Sequence, residues 1–281
     1  MQDFSARTAF VTGGAAGIGL AIAASLGRRG ARVMLADIDA DALARAADDL
    51  AGQGIAVATT VCDVADPVQM RAAADETVSR LGKVHVLVNN AGVSLDGRTG
   101  EIPLEDWRWI VDINLMGVVH GVETFVPLIR GHGEGGHIVN TASIAGHWAV
   151  PGGGPYTATK FAVVGYSETL RQELEPEGIG VSVLCPGWVR TGIHRAQRRR
   201  PSFRTGTAQD DSALMRQAGE NVEQGIDPAI VGEWVADCMV ANRLYIFTQP
   251  DLYGIVNARA AAIKIDFNAC VRDPRFAGDG D

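Results

Sequence analysis

Disulfide frameworks and metal-binding motifs are both missing from this sequence. The four cysteines among its 281 residues are widely spaced and form no C-x-x-C pair, and the six histidines show no metal-ligand spacing. Widely spaced cysteines of this kind are typical of reduced thiols in cytoplasmic proteins. We therefore predict a cytoplasmic protein that holds no metal ion.

An excess of positive charge and a long apolar run are missing as well. The formal net charge is −8, which argues against a general affinity for nucleic acid or for anionic membranes. No apolar run approaches the length needed to span a membrane, and the first residues, M-Q-D-F-S-A-R, lack the apolar region of a signal peptide. We therefore expect neither a nucleic-acid partner nor a membrane partner.

What the sequence does contain is a regular alternation of short apolar runs with helix-length periodic segments. The predicted strands are Thr8–Thr12, Val33–Asp37, Ala56–Cys62, His85–Asn89, His137–Thr141, Val181–Cys185 and Tyr245–Thr248. The predicted helices are Ile18–Arg29, Ala40–Ala51, Pro67–Leu81, Leu104–Arg130, Tyr156–Leu174 and Ala229–Asn242. This alternation predicts an α/β fold, a doubly wound parallel sheet with helices on both faces, in a single domain over residues 1–281.

Two segments fall outside this alternation. Residues 188–227 form a polar stretch too long for a plain connection, which we interpret as a lid over the site. Its arginines, between Arg195 and Arg204, either grip an anionic substrate or form a solvated face. Residues 250–281 form a C-terminal extension, in which apolar spacing predicts a helix over Asp251–Asp266. We expect this helix to pack against the lid of its own or of a neighbouring subunit.

A glycine-rich turn joins the first predicted strand to the first predicted helix. It reads T-G-G-A-A-G-I-G, with the spacing G-x-x-x-G-x-G rather than G-x-G-x-x-G. Glycines allow a tight turn, and the unpaired N–H groups of a helix N-terminus attract pyrophosphate. The turn is therefore either a dinucleotide phosphate loop or a loop that needs positive φ angles. The residues of the predicted phosphate site are Gly13, Ala16, Gly17, Ile18 and Gly19.

A carboxylate, Asp37, ends the second predicted strand, twenty residues after Gly17. At this position a carboxylate accepts hydrogen bonds from the adenine-ribose hydroxyls and repels a 2′-phosphate. Neither Ala16 nor the following Ile38 supplies a compensating cation, so the sequence favours NAD over NADP. The alternative is that Asp37 is an ordinary solvated residue.

Three further turns follow predicted strands at the same edge of the sheet. Asp63 and the next residue offer either an acceptor for the adenine amino group or a cap for the following helix. The N-N-A-G turn presents backbone to a ligand or is a plain turn, and the P-G-W-V-R-T segment fits a nicotinamide carboxamide. The predicted cofactor residues in these turns are Asp63, Val64, Asn90, Ala91, Gly92, Pro186, Gly187, Val189 and Thr191.

A hydroxyl, a phenol and an amine lie close in sequence between Ser143 and Lys160. Tyr156 and Lys160 are four residues apart, so on a helix both side chains leave the same face. An adjacent ammonium lowers the pKa of a phenol toward a value useful for proton transfer. We expect Tyr156 to exchange a proton with an alcohol or a carbonyl, and Ser143 to hold the substrate oxygen. The alternative is a buried tyrosine beside an exposed lysine on an ordinary helix.

Together these motifs resemble the short-chain dehydrogenase/reductase family. They occur in the family's order over residues 5–192, and Asn114, in the middle of a long predicted helix, is a further match. The resemblance implies a Rossmann-like sheet of strand order 3-2-1-4-5-6-7, with NAD(P) bound at the carboxyl ends of the strands. It implies that Lys160 holds the nicotinamide ribose, that Asn114 holds a water, and that both act with Ser143 and Tyr156 in catalysis. It also implies a homodimer or a homotetramer.

Large apolar side chains near the predicted site indicate the class of substrate. They suit a bulky aryl or alicyclic secondary alcohol, or its ketone, better than a sugar, unless they pack the lid or a subunit contact instead. The stretches F-V-P-L-I-R, E-G-I-G-V-S-V and N-R-L-Y-I-F resemble bacterial Cα-dehydrogenases, which oxidise benzylic alcohols of lignin-derived aryl ethers. The predicted substrate-lining residues are Leu95, Trp148, Trp188 and Ile193.

The sequence thus predicts an NAD-dependent oxidoreductase that interconverts a hydrophobic secondary alcohol and its ketone. The alternatives are a dinucleotide-binding sensor or scaffold without catalysis, a related enzyme acting on a sterol-like or polyol-like alcohol, and one that epimerises or dehydrates its substrate. The intact set of Ser143, Tyr156 and Lys160 argues against a pure binder, which has no need of all three.

Overall fold

The computed structural model describes residues 3–206 and 213–276. Residues 207–212 of the predicted lid and residues 277–281 of the predicted extension lie outside the described part. The chain divides into two compact units after Thr248, beside the predicted start of the extension.

The first unit is built on one parallel sheet of seven strands in the order β3-β2-β1-β4-β5-β6-β7. At the centre, Val11 pairs with Leu35 on one side and with Val88 on the other. This order and the α/β class confirm the fold expected from the sequence. The strands are β1 (Thr8–Thr12), β2 (Arg32–Asp37), β3 (Val57–Val61), β4 (Val86–Asn89), β5 (Gly136–Thr141), β6 (Ile179–Cys185) and β7 (Tyr245–Phe247).

Helices connect the strands and cover both faces of the sheet. The helices of the first unit are α1 (Gly17–Arg28), α2 (Ala40–Gly52), α3 (Pro67–Leu81), α4 (Leu104–Val111), α5 (Gly117–His132), α6 (Gly154–Leu174), α7 (Ile193–Ala196), α8 (Pro201–Arg204), α9 (Ala213–Glu223) and α10 (Pro228–Val240). The second unit contains α11 (Tyr253–Val271). Apolar side chains of α1, α2 and α10 form the core on one face, and those of α3, α5 and α6 form the core on the other. Because both faces are covered, the central strands are buried along their whole length.

The long helix predicted over Leu104–Arg130 is interrupted in its middle. A π-helical turn over Asp112–Met116 separates α4 from α5, and Asn114 is buried within it. π-turns inside α-helices are common at functional sites because they redirect side chains and backbone groups. The sequence predicted one continuous helix here, and the π-helical turn at Asn114 interrupts it.

The interrupted helix from Leu104 to His132 is long enough to be compared with a membrane-spanning helix. Leu104–His132 is apolar enough to span a membrane, but 44% of its most apolar window is buried inside the protein. Phe125 on α5 is fully buried, with its ring 4.4 Å from the ring of Phe10 on β1. A helix that packs on the central strand in this way serves as a core helix.

The two ends of the predicted lid are hydrogen-bonded to each other. Val189 and Ile226 form a parallel bridge, with hydrogen bonds of 2.9 Å from the Arg190 N–H to the Ile226 carbonyl and 3.1 Å from the Ile226 N–H to the Trp188 carbonyl. Between these ends the described residues form α7, α8 and α9. The lid is therefore closed at its base, as a loop that forms part of a site should be.

The second unit, which starts at Gln249, consists of a short 3-10 turn over Pro250–Leu252 followed by α11. The helix is longer than the predicted Asp251–Asp266, because the apolar spacing that marks it continues through Phe267 to Val271. Packing of this helix against a lid stays a prediction.

A close backbone approach between α1 and α10 gives a test of the fold. A Cβ atom added to Gly232 of α10 would overlap the carbonyl oxygen of Ala21 in α1. We expect Gly232→Ala to lower the free energy of unfolding by about 1–3 kcal/mol, because neither backbone can move without disturbing the core. Urea denaturation followed by circular dichroism measures this.

Gly52→Ala is the matched control, since a Cβ atom at the end of α2 meets nothing within 4 Å. It should leave stability unchanged or raise it slightly. Equal loss of stability in both variants would contradict the assigned contact between α1 and α10.

Candidate active site

A hydrogen-bond network joins the carboxyl ends of β1 and β4. The Thr12 hydroxyl accepts hydrogen bonds from the backbone N–H groups of Asn90 (2.9 Å) and Ala91 (3.1 Å). The Asn90 amide in turn donates to the carbonyl oxygens of Thr12 (3.1 Å) and Gly13 (3.3 Å). The N-N-A-G turn therefore positions the glycine-rich turn, which the sequence treats as a separate motif.

The glycine-rich turn has the shape of a cradle. Gly13 and Gly17 have φ angles of +60° and +56°, and a Cβ atom on Gly19 would overlap the carbonyl oxygen of Gly13. Ala16, the N-cap of α1, makes no side-chain hydrogen bond to the helix, and Ile18 is only half-buried. The first N–H groups of α1 therefore face an open turn without a side-chain cap. This arrangement fits a pyrophosphate.

Asp37 lies at the carboxyl end of β2, beside this cradle. Its carboxylate accepts hydrogen bonds from the backbone N–H groups of Ala15 (3.3 Å) and Asp39 (3.2 Å), which hold it in place. Ile38 is 55% exposed. A cation from elsewhere in the chain, the lid residue Arg199, lies 3.8 Å from the Asp39 carboxylate. The sequence could not reveal this, because the two residues are far apart along the chain.

Asp63 follows β3 and accepts a hydrogen bond of 3.0 Å from the Ala65 N–H. Asp63 does not cap α3. The N-cap is Asp66, whose carboxylate accepts hydrogen bonds from the backbone N–H groups of Val68 (2.8 Å) and Gln69 (3.4 Å). Of the two roles open for Asp63, the helix cap is therefore wrong. Its neighbour Val64 is buried.

The segment after β6 runs past the start of the predicted catalytic stretch. The Pro186 carbonyl accepts a hydrogen bond of 2.8 Å from the Ile144 N–H, and the Gly187 N–H donates to the Thr248 hydroxyl at 3.3 Å. Val189 is buried, and a Cβ atom on Gly17 would lie 3.1 Å from the methyl group of Thr191. The segment thus reaches from the catalytic stretch to the phosphate cradle.

Ser143, Tyr156 and Lys160 converge where β5 ends and α6 begins. The Lys160 Nζ donates a hydrogen bond of 2.9 Å to the Thr141 carbonyl and lies 5.5 Å from the centre of the Tyr156 ring. The buried Ser143 hydroxyl accepts a hydrogen bond of 3.1 Å from the Ala145 N–H and donates one of 3.4 Å to the Pro186 carbonyl, and its interaction with the phenol lowers the pKa of Tyr156. A Cβ atom on Gly92 would lie only 3.6 Å from Nζ, so the N-N-A-G backbone closes over the ammonium.

Burial dominates the proton affinities of this group. It raises the pKa of the Tyr156 phenol, which the hydrogen bond with Ser143 lowers in part. It lowers the pKa of the Lys160 ammonium to about 8. The direction at Tyr156 is opposite to that expected from the Y-x-x-x-K spacing, because the spacing reveals the ammonium but not the loss of solvent.

Asn114 clamps the loop that follows the N-N-A-G turn. Its side-chain amide donates to the Val93 carbonyl at 2.9 Å and accepts from the Val93 N–H at 2.8 Å. It also donates to the Thr159 hydroxyl at 3.3 Å. The π-helical turn therefore fixes the backbone beside the site through a buried side chain.

The predicted substrate-lining residues occupy different environments. Leu95 is fully buried in an apolar cluster that includes Tyr156 and the lid residue Ala196. Trp148 and Ile193 are half-buried, and Trp188 is 45% exposed. Leu95 thus packs in one cluster with the phenol ring, while Trp148, Trp188 and Ile193 are each partly exposed.

A buried ion pair that the sequence did not indicate anchors the lid. The Arg200 Nε lies 3.4 Å from the Asp106 Oδ2, and both side chains are almost fully buried. The Asp106 carboxylate also accepts a hydrogen bond of 3.0 Å from the Ser202 N–H. Arg200 is therefore part of the lid's attachment to α4, whereas Arg195 and Arg204 are exposed.

A cluster of His85, His132 and Glu134 lies at the opposite end of the strands, with potential ligand atoms within 4.8 Å of one another. Each ring nitrogen already has a partner. The His85 Nδ1 accepts from the Thr8 N–H and its Nε2 contacts Glu134, while the His132 Nε2 contacts the Val84 carbonyl and its Nδ1 accepts from the Glu134 N–H. Because these hydrogen bonds occupy all four ring nitrogens, we interpret the cluster as a structural element at this end of the sheet.

Comparison with known proteins agrees with this arrangement. A family model described as short chain dehydrogenase matches residues 7–202. A C alpha-dehydrogenase of Sphingobium sp. (strain NBRC 103272 / SYK-6) is 35% identical over 254 residues, covering 90% of this chain and 83% of that protein. A cyclohexanol dehydrogenase of Acinetobacter sp. (strain SE19) is 34% identical over 193 residues, covering 68% of this chain and 76% of that protein.

Solved structures match over nearly the whole chain. A short chain dehydrogenase/reductase from Burkholderia phymatum in complex with NAD has a TM-score of 0.89 at 37% identity, over 95% of this chain and 97% of that one. An actinorhodin polyketide ketoreductase with NADPH has a TM-score of 0.75 at 32% identity, over 88% and 97%. The chain belongs to the short chain dehydrogenase family, and within it lies close to the bacterial C alpha-dehydrogenases.

Proposed function

We propose that the protein is an NAD-dependent oxidoreductase that interconverts a hydrophobic secondary alcohol, aryl or alicyclic, and its ketone. The observation that carries the proposal is the convergence of the Ser143 hydroxyl, the Tyr156 phenol and the buried Lys160 ammonium. The adjoining glycine cradle fits the pyrophosphate of a dinucleotide. The family uses nicotinamide dinucleotides, which supply hydride transfer when bound.

In this proposal the chain's own residues bind the alcohol and move one proton. Tyr156 takes the proton of the hydroxyl during oxidation and returns it during reduction. Ser143 donates a hydrogen bond to the substrate oxygen and orients it. Lys160, held by Thr141, would hold the nicotinamide ribose with its ammonium. Because burial raises the pKa of Tyr156, oxidation should be favoured at alkaline pH, where more phenolate forms.

The preference for NAD rests on Asp37. Its carboxylate is held by two backbone N–H groups at the end of β2, beside the cradle, where a 2′-phosphate would be repelled. The NAD complex of the Burkholderia phymatum relative supports this choice. Two observations favour NADP instead: the Arg199 guanidinium lies near Asp39, and the actinorhodin ketoreductase relative is a complex with NADPH.

The substrate class rests on the walls of the site and on the relatives. Trp148, Trp188 and Ile193 offer apolar surface rather than hydrogen-bonding groups. The names of the Sphingobium and Acinetobacter relatives, C alpha-dehydrogenase and cyclohexanol dehydrogenase, point to the same kind of alcohol. We further propose a homo-oligomer that acts in the cytoplasm, where its free thiols stay reduced.

The role of the phenol is tested by Tyr156→Phe. The ring and its packing remain and only the proton carrier is lost, so turnover should fall by about 100- to 10 000-fold. NADH binding, followed by fluorescence, should be nearly unchanged. A variant that keeps more than about a tenth of the wild-type rate would rule out the proton transfer assigned to this residue.

Cofactor choice is tested by the double substitution Asp37→Ala and Ile38→Arg. Wild-type protein should favour NAD over NADP in kcat/KM, and the double variant should narrow or reverse the preference, because the repelling charge is replaced by an attracting one. Arg199→Gln is the control and should leave the NAD preference in place. Equal use of both cofactors by the wild type would contradict the proposal that Asp37 repels the 2′-phosphate of NADP.

The substrate class is tested by a panel of alcohols with NAD, in which NADH absorbance is the readout. We expect 1-aryl alcohols and cyclic alcohols to be oxidised more efficiently than sugars and polyols, because the walls are apolar. Efficient turnover of polyols with poor turnover of aryl alcohols would contradict the assignment. Absence of NADH formation with every alcohol, despite NADH binding, would favour a non-catalytic dinucleotide sensor.

A further inference from the structure

The loop that contains Asp96 is fixed on both sides of this residue. Before it, the backbone of Val93 is clamped by Asn114 through two hydrogen bonds of 2.8 and 2.9 Å. After it, the Gly97 N–H donates to the Gly152 carbonyl at 2.8 Å, next to the start of α6. The position of Asp96 is therefore set by the same elements that carry the proposed catalytic groups.

The carboxylate of Asp96 has no partner of its own. It is half-buried, and within residues 3–206 and 213–276 no group donates a hydrogen bond to it. Its neighbour Leu95 packs in one cluster with Tyr156, and the charge of Asp96 raises the pKa of the phenol. The Asp96 carboxylate is thus available to accept a hydrogen bond near the phenol. Leaving a buried acceptor without a partner costs folding free energy.

Arg200 explains why a charge is tolerated there. This guanidinium is buried, is held by Asp106 at 3.4 Å, and lies close enough to Asp96 to lower the pKa of its carboxyl group, which burial raises. It provides an opposite charge without a hydrogen bond to Asp96. Arg200 therefore offsets part of the effect of burial, which on balance raises the pKa of the Asp96 carboxyl group, and its oxygen atoms remain free to accept a hydrogen bond.

We propose that Asp96 is a specificity-determining residue: its carboxylate accepts a hydrogen bond from a second hydroxyl group of the substrate, next to the carbinol that reacts at Tyr156. This inference rests on the proposed function of the same site. It narrows the substrate class to hydrophobic alcohols that carry one further hydroxyl, since the walls are otherwise apolar. A site built to bind a hydroxyl discriminates against the analogue that lacks it.

The experiment compares 1-phenylethanol with 1-phenyl-1,2-ethanediol in wild type, Asp96→Leu and Asp96→Asn. Wild type should prefer the diol. Asp96→Leu should lower the diol-to-monool ratio of kcat/KM by about ten-fold or more, mainly through KM of the diol, because the acceptor is lost. Asp96→Asn should keep part of the preference, because an amide oxygen still accepts. A ratio that stays at the wild-type value in Asp96→Leu would overturn the inference.

The pH profile adds a readout that a purely structural role would not move. The charged groups facing the phenol are Asp96 from the loop and Lys160 from α6, with Arg200 behind Asp96. Removing the negative charge in Asp96→Asn lowers the pKa of Tyr156. The acidic limb of kcat/KM for 1-phenylethanol should therefore shift to lower pH, since oxidation needs the phenolate.

Glu101→Gln is the matched control. It removes a carboxylate from the same segment, but this carboxylate pairs with Arg98 at the surface. It should change neither the substrate ratio nor the pH profile. Failure of wild type to oxidise any alcohol would overturn the proposed function and this inference with it. The inference alone would be overturned if wild type oxidises 1-phenylethanol but the variants behave like wild type. In that case the pH profile of Asp96→Asn is not shifted and the diol-to-monool ratio of Asp96→Leu is unchanged.

Discussion

The buried ammonium of Lys160 is the interaction on which the rest of the site depends. Lys160 is 3% exposed, and a charge removed from water needs a partner. The partner is the Thr141 carbonyl, 2.9 Å away at the end of β5. This hydrogen bond ties the first turns of α6 to the sheet edge. It thereby sets the place of Tyr156, whose ring centre is 5.5 Å from the ammonium.

The same burial explains the geometry around the ammonium. Gly92 allows the N-N-A-G backbone to pass close to Nζ, where a Cβ atom would stand 3.6 Å away. Asn114, in the π-helical turn, closes the other side by holding Val93. Excluding water strengthens electrostatic effects on the phenol, so that nearby Asp96 affects its proton affinity. The pocket that isolates the lysine therefore also tunes the tyrosine.

Two long-range contacts turn these local motifs into one site. The Thr12 hydroxyl, at the end of β1, binds the N-N-A-G backbone and so couples the phosphate cradle to the catalytic half. On the far side, the buried pair of Arg200 and Asp106 attaches the lid to α4. Breaking a buried pair of this kind leaves an uncompensated charge, so the lid is held in one place. The first contact comes from a residue of the glycine-rich motif, whereas Arg200 and Asp106 belong to none of the quoted motifs.

The sequence by itself determined the fold, because strand and helix periodicities are local properties that repeat along the chain. It also predicted the order of the strands through the resemblance, and the meeting of Ser143, Tyr156 and Lys160, since parallel strands end at one edge and residues four apart share a helix face. The π-helical turn at Asn114 was not predicted, because the sequence pattern indicated one continuous helix over Leu104–Arg130.

Only the tertiary structure decided how these groups are charged and what surrounds them. Desolvation of Tyr156, the unpaired carboxylate of Asp96 and the placement of Arg199 and Arg200 depend on contacts between residues distant in sequence. Solvent exclusion is a collective property of packed elements, and no pattern along the chain encodes it directly.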